Sequence, residues 1–197
     1  LRRKKAPFFE KGLEPLVERY FDDGFNLLPE LGAADFDIYV VAVGTPVDSQ
    51  GVPIMEDIEN VLGQVAQVLK FNDLVILRST VPPCTCRTIA IPILEKKSGL
   101  KAGSEFHFVF APERTVQGRA IEELRLLPQI IGGYTSGCTN AAAQFFNVFS
   151  PTIVKVDSLE ASEVVKLLNN SISLLYNLIS IIYISNKIRI VKYMNKT

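Results

Sequence analysis

The sequence predicts an α/β domain built on a parallel sheet, and three observations carry that expectation. Short continuous apolar runs alternate along the chain with longer segments whose apolar residues fall at helical spacing. The runs are apolar without alternation, as strands covered on both faces must be. Turn signals close three of the runs in succession, at Gly44-Thr45-Pro46, Val81-Pro82-Pro83 and Ala111-Pro112. With 197 residues, 48% hydrophobic and 21% charged, the chain carries enough apolar material for a packed core and is not intrinsically disordered as a whole.

Taken in order, Leu13 to Asp22 forms a short helix after Gly12. Asp37 to Val43 is an apolar, partly β-branched run that ends at Gly44 and Pro46, and reads as the first strand. From Met55 to Lys70, residues Ile58, Val61, Leu62, Val65, Val68 and Leu69 recur on one helical face. Glu56 and Asp57 lie in the first turn of that helix, at the positive end of its dipole. Leu74 to Leu77 is the second strand; Ser79 or Thr80 after it is placed to cap a helix with proline in its first turn. Phe106–Phe110, Gln129–Gly132 and Thr152–Val156 supply three more strands, with helices expected over Arg119–Leu126 and Ser136–Phe149 between them. Leu159 to Asn170 opens an amphipathic helix with Ser158 as its cap. Strands alternating with helices imply right-handed crossovers.

From Ser171 the composition changes, and glycine, proline, alanine and acidic residues are absent through Thr197. The apolar stretch there runs for only about 13 residues before Ser185, short of the roughly 20 a bilayer span takes. A buried or interface helix is expected, and no membrane partner.

Charge excludes one class of function. Lys plus Arg and Asp plus Glu both number 21, and the only basic cluster, Arg2-Arg3-Lys4-Lys5, sits at a chain end. A nucleic-acid partner is therefore not expected. Cys84, Cys86 and Cys138 are odd in number and His107 is the only histidine, so no Cys/His metal site is expected. The cysteines read as reduced thiols of a cytoplasmic protein, no signal peptide opens the chain, and it begins with Leu1 rather than Met.

In a parallel α/β sheet ligands bind beyond the carboxyl ends of the strands. Val43-Gly44-Thr45-Pro46 ends the first strand there, where a glycine admits a ligand to the backbone and a threonine offers a hydroxyl. Ser79-Thr80-Val81-Pro82 ends the second, and Ala111-Pro112-Glu113-Arg114 brings a carboxylate and a guanidinium to the same rim. Each alone reads as a turn, a cap or a solvated loop; three in succession point to a site. Glu163, Lys166 and Asn170 share one face of the last helix, and their bland reading is an exposed stripe with a weak Glu–Lys pair.

Val-Gly-Thr-Pro with Asp57 after it, Ser-Thr-Val-Pro, Pro-Glu-Arg-x-x-x-Gly and Lys-Leu-Leu-Asn-Asn, in that order from about Gly12 to Asn170, resemble the UDP-glucose/GDP-mannose dehydrogenase family. Pro-Glu-Arg resembles its branch acting on UDP-N-acetylhexosamines such as UDP-N-acetylmannosamine or UDP-N-acetylglucosamine. The resemblance implies a Rossmann-like parallel sheet over residues 1–157 that lacks its first strands, then the start of a long central dimerisation helix over residues 158–197. It implies NAD as cofactor, a UDP-sugar substrate, and oxidation of the sugar C6 alcohol to a carboxylate in two hydride transfers through a cysteine thiohemiacetal, for polysaccharide biosynthesis. It also implies a homodimer for the full-length enzyme.

Residue by residue, the resemblance places Thr80 and Glu113 near the nicotinamide, positioning water and moving protons. Lys166 matches the lysine that stabilises oxyanion charge, Asn170 the asparagine beside it, and Val43, Gly44, Thr45, Pro46 and Ser79 the cofactor lining. Gln117 falls where the glucose enzymes often carry a second glutamate. The family's Gly-x-Gly-x-x-Gly turn does not occur among these 197 residues, and none of the three cysteines matches its nucleophile. Cys84 stands where the family usually has glycine. The resemblance ends at Ser171, so the expectation is a chain truncated at both ends, with a divergent tail and no turnover by itself. The alternative is a non-catalytic dimerising piece or a defective remnant.

Overall fold

The computed structural model describes residues 5–175 except 7, 22, 30, 33, 34 and 173. Almost all of the segment expected to diverge from Ser171 therefore lies outside the described residues. In chain order the elements are α1 (Leu13–Tyr20), β1 (Ile38–Val41), α2 (Glu56–Val68), β2 (Leu74–Leu77), a π-helical turn (Cys86–Ala90) running into α3 (Ile91–Ser98), β3 (His107–Phe110), α4 (Ala120–Leu126), β4 (Gln129–Gly133), α5 (Ser136–Phe146) and β5 (Ile153–Val156). A further helix, α6, follows over residues 159–172.

The five strands form one sheet in the order β1-β2-β3-β4-β5. β1, β2 and β3 are parallel, pairing Val41 with Leu77 and Leu77 with Phe110. One pair departs from the expected sense: β4 runs antiparallel to β3, with Phe110 opposite Gly132, and β5 is parallel to β4. A parallel return takes a crossover element packed over the sheet face. The link from β3 to β4 contains only the seven-residue α4, none of whose side chains is buried. The chain thus re-enters the sheet from the edge at which it left.

Alternate side chains of β2 feed two cores, as the two-residue period of a strand requires. Val75 and Leu77 join Tyr39, Val41, Phe108 and Phe110 beneath α2 and α3, with Ile58, Leu62, Ile91 and Leu94 facing them. Leu74 and Ile76 join Val109 and Ile131 beneath Ala142, Ala143 and Phe146 of α5. Leu159, at the start of α6, is fully buried in the first core, so the last helix begins inside the domain. The Ser158 hydroxyl accepts the N–H of Ala161 at 3.0 Å, the cap expected for this helix.

Gly132 decides how closely α6 approaches. A Cβ at this position would overlap the Ser158 carbonyl and the Ser162 hydroxyl, so glycine is what seats the α6 amino end on β4. Among the described residues no strand pairs with the opposite edge. Ile38 and Val40 of β1 are 38% and 47% exposed. An apolar hollow of about 280 Å³, lined by these residues with Leu31, Phe36 and Val61, runs along that edge.

Candidate active site at the strand ends

The three strand-end segments meet as the sequence suggests, but in two differently built halves. In the first, the Ser79 hydroxyl donates to the Val43 carbonyl at 2.7 Å. The Thr45 hydroxyl donates to the Thr80 carbonyl, also at 2.7 Å. Two neutral side chains therefore tie the end of β1 to the end of β2. Neither Ser79 nor Thr80 caps a helix. Helical structure begins only at the π-turn, since Pro82 and Pro83 carry no N–H to donate. The Thr80 hydroxyl is half-buried and, among the described residues, makes no hydrogen bond of its own. Gly44 is exposed, and a Cβ there would meet nothing within 4 Å.

In the second half, the Glu113 carboxylate is held from three sides. One oxygen accepts the N–H groups of Arg114 and Thr115 at 2.8 and 2.9 Å. The other accepts a guanidinium N–H of Arg78 at 2.6 Å. Burial alone would raise the Glu113 carboxyl above its usual range; the Arg78 charge and the Thr115 N–H outweigh that effect and hold it below. The Lys166 ammonium donates to the backbone carbonyl of Glu113. Burial lowers the Lys166 ammonium from its ordinary value, with the nearby charges of Arg78 and Arg114 adding to the effect and that of Glu113 opposing it.

The last helix braces both halves. Glu163 is fully buried, and its two oxygens accept the N–H groups of Cys84 at 2.6 Å and Cys86 at 2.8 Å. The bland reading of an exposed Glu–Lys stripe fails, because these backbone donors have no partner from their own helix and a carboxylate on α6 supplies one. One turn on, Lys166 reaches the β3 loop. Asn170 is exposed and, among the described residues, makes no hydrogen bond. Its neighbour Asn169 instead receives a long 3.5 Å contact from Arg114, whose other terminal nitrogen donates to the Pro128 carbonyl at 3.1 Å. Gln117 is exposed.

Two participants escape a reading of motifs. Arg78, directly before Ser79, has only 9% of its side chain exposed and spans from Glu113 to the Gln129 side chain at 3.2 Å. The available signal was its place in the strand alternation, where a charge follows Leu74 and Ile76 on the inward face. Glu10, from the segment before α1, is the other: its carboxylate accepts the Gly118 N–H at 2.6 Å and pins the far end of the Glu113 loop. All three cysteines are free. Burial first, then Glu163, pushes the Cys86 thiol well above its ordinary value, which leaves it protonated and non-nucleophilic.

An open α/β sheet whose polar side chains gather beyond the carboxyl ends of its strands defines the class of ligand-binding α/β domains to which the dinucleotide-binding folds belong. The chain belongs to the UDP-glucose/GDP-mannose dehydrogenase family, whose NAD binding domain matches residues 1–150. It is 32% identical over 181 residues to the UDP-N-acetyl-D-mannosamine dehydrogenase of Campylobacter jejuni, covering 87% of this chain and 44% of that protein. It is 30% identical over 173 residues to the GDP-mannose 6-dehydrogenase of Pseudomonas savastanoi pv. phaseolicola, covering 82% and 38%. Among solved structures, the NDP-N-acetyl-D-galactosaminuronic acid dehydrogenase of Methanosarcina mazei Go1 superposes with a TM-score of 0.79 at 30% identity, over 87% of this chain and 38% of that one. The chain thus spans less than half the length of each of these relatives. No helix among the described residues is long and apolar enough to cross a membrane.

Proposed function

We propose that the chain belongs to an NAD-dependent 6-dehydrogenase of a UDP-N-acetylhexosamine, UDP-N-acetylmannosamine or UDP-N-acetylglucosamine, that oxidises the C6 alcohol to a carboxylate in the cytoplasm. The observation that carries this reading is the charged cluster beyond β3, where the Lys166 ammonium on α6 donates to the backbone carbonyl of Glu113, whose loop lies within the residues matched as NAD-binding. Pro112-Glu113-Arg114 and the likeness to a UDP-N-acetyl-D-mannosamine dehydrogenase favour the N-acetylhexosamine over GDP-mannose.

The residues present fit the cofactor. Val43, Gly44, Thr45 and Pro46 form a strand end cross-tied to Ser79 and Thr80, with open space over Gly44 for a flat ring or ribose to lie against. NAD supplies the hydride acceptor when bound. Thr80 keeps an uncommitted hydroxyl for water or an amide at that rim. The Glu113 carboxylate, ionised at neutral pH, accepts a hydrogen bond from water and orients it. Lys166, with Asn170 one turn further on, offers a cation where negative charge develops on the sugar oxygen. The 197 residues hold neither a Gly-x-Gly-x-x-Gly turn nor a cysteine matching the family nucleophile, so by themselves they bind weakly and do not turn over.

Two measurements test this. The purified chain with NAD and each of the two UDP-sugars is expected to produce no NADH; NADH formation would overturn its inactivity. Residues 5–170 grafted into the Campylobacter enzyme in place of the matched segment are expected to sustain oxidation of a UDP-N-acetylhexosamine. A graft active on GDP-mannose alone would sink the substrate assignment. The alternative, a dimerising piece without catalysis, is favoured by one feature: Val164, Leu168, Ile172 and Leu175 lie along α6 and its continuation as an exposed apolar stripe. The reading as a homodimer rests on that stripe. Leu168→Lys is expected to shift a dimer to monomer in analytical ultracentrifugation, and a chain monomeric before substitution would remove the stripe from the argument.

A further inference from the structure

Besides α6, which braces both halves, one side chain among the described residues links them directly. The cross-ties of Ser79 and Thr45 stay between β1 and β2, and the bonds of Arg114, Thr115 and Lys166 stay on the β3 loop and α6. Arg78 belongs to the β2 end by backbone, where its N–H donates to the Val41 carbonyl at 2.8 Å, and to the β3 loop by its guanidinium. That guanidinium lies on the α5 side of the sheet, on the face shared by Leu74 and Ile76, with its central carbon 5.3 Å from the centre of the Phe146 ring. An aliphatic side chain would fit that apolar layer without desolvating a charge. The cation resides there at the cost of desolvation, and the group in position to offset it is Glu113.

We infer that Arg78 is a positioning residue of the active site, its planar fork seated on Phe146 and braced by Gln129 so that the Glu113 carboxylate is held in one place and orientation. The inference rests on the reading of Glu113 as a site residue. It follows from geometry that lysine cannot reproduce: one nitrogen of the fork engages Gln129 while another engages Glu113, and the flat guanidinium stacks on the ring. A second consequence is electrostatic. With Arg78 in place Glu113 stays ionised into mild acid, so it can order water as an acceptor throughout the neutral range. Lys166 also lies near the group from α6, and Arg114 of the loop and Glu123 of α4 line the hollow beside it; all three remain when Arg78 is replaced, so the part due to Arg78 can be separated from theirs.

The test is a carboxyl titration of the 197-residue chain, with neither NAD nor sugar present. The side-chain carboxyl carbon of Glu113 is followed by NMR and assigned by its loss in Glu113→Gln, with the glutamate carboxyls of the urea-unfolded chain as reference. In the unsubstituted chain Glu113 is expected to titrate below the carboxyls of the urea-unfolded chain. Arg78→Met is expected to raise its midpoint by about one pH unit or more, and Arg78→Lys to restore only part of that. A Glu113 midpoint in the unsubstituted chain equal to that of the urea-unfolded carboxyls, or unmoved in a folded Arg78→Met, overturns the inference. If Arg78→Met does not fold, the unsubstituted chain and Arg78→Lys still decide it. A side chain that served packing alone would leave the titration where it was. Because no substrate enters, an unmoved Glu113 leaves the proposed reaction standing, and a graft without dehydrogenase activity leaves the Arg78 result standing.

Discussion

The end of β2 and the end of β3 lie side by side at one rim of the sheet, yet they are held by different physics. At β2 the ties are neutral hydroxyls on carbonyls, Ser79 to Val43 and Thr45 to Thr80. At β3 they are charges: Glu113 against Arg78, with Lys166 on its carbonyl. The two hydroxyl ties do not titrate, so the contacts they make between β1 and β2 are the same at every pH. The charged side changes with protonation. Both kinds of tie meet at one rim.

The comparison can be broken or sharpened experimentally. The largest effect is expected from Gly132→Ala, where the new methyl meets the backbone of Ser158 and pushes α6 away, at a cost of about 3 kcal/mol in chemical denaturation. Because α6 carries both Glu163 and Lys166, this variant should disturb both strand ends together; an unchanged stability would mean α6 is not seated as described. Glu163→Gln comes next, at about 2 kcal/mol, since the amide accepts for only one of the N–H groups of Cys84 and Cys86 and sets a donor against the other. Its effect should fall on the β2 side, seen as faster amide exchange at Cys84 and Cys86.

Thr45→Val should cost about 1 kcal/mol, by the same amount at every pH. Glu113→Gln should behave otherwise. A carboxyl whose folded value is lowered stabilises the fold above its unfolded value and loses that contribution as pH falls through the folded one. The gap in melting temperature between Glu113→Gln and the unsubstituted chain should therefore close in acid, and a pH-independent gap would contradict the ionic account. Lys166 has the opposite window: its folded value lies below 10.5, so stability should rise with alkaline pH up to that value, and Lys166→Met should abolish the rise. The smallest effect is a gain. Cys84 has a left-handed φ of 71°, and Cys84→Gly should stabilise by about 0.5 kcal/mol, the steric relief being partly offset by glycine's greater freedom when unfolded.

Much of this was readable in advance, for reasons that differ by residue. β2 and β3 are continuous apolar runs, and α2 carries its apolar face at regular spacing, so periodicity located them to within a residue or two. Glu113 and Lys166 were visible through motifs that resemble a known family. Arg78 was not, because a single arginine after an apolar run looks like a strand end in solvent until Phe146 and Gln129 are placed around it. The role of Glu163 is not legible from spacing, because helical spacing shows which side chains share a face and does not show what that face meets.

By itself the sequence determined the alternation of strands and helices, the strand ends that form the rim, and the residue types gathered there. Those depend on local chemistry: side-chain period, capping, and where proline and glycine stop an element. Tertiary structure alone decided that β4 returns antiparallel, that Glu163 caps the segment after β2 rather than facing solvent, and that Arg78 spans the two halves. Each depends on groups far apart in the chain, 35 residues between Arg78 and Glu113 and 79 between Cys84 and Glu163. A buried charge or an unpaired N–H takes whichever partner packing brings within reach, and that choice is made only once the core has formed.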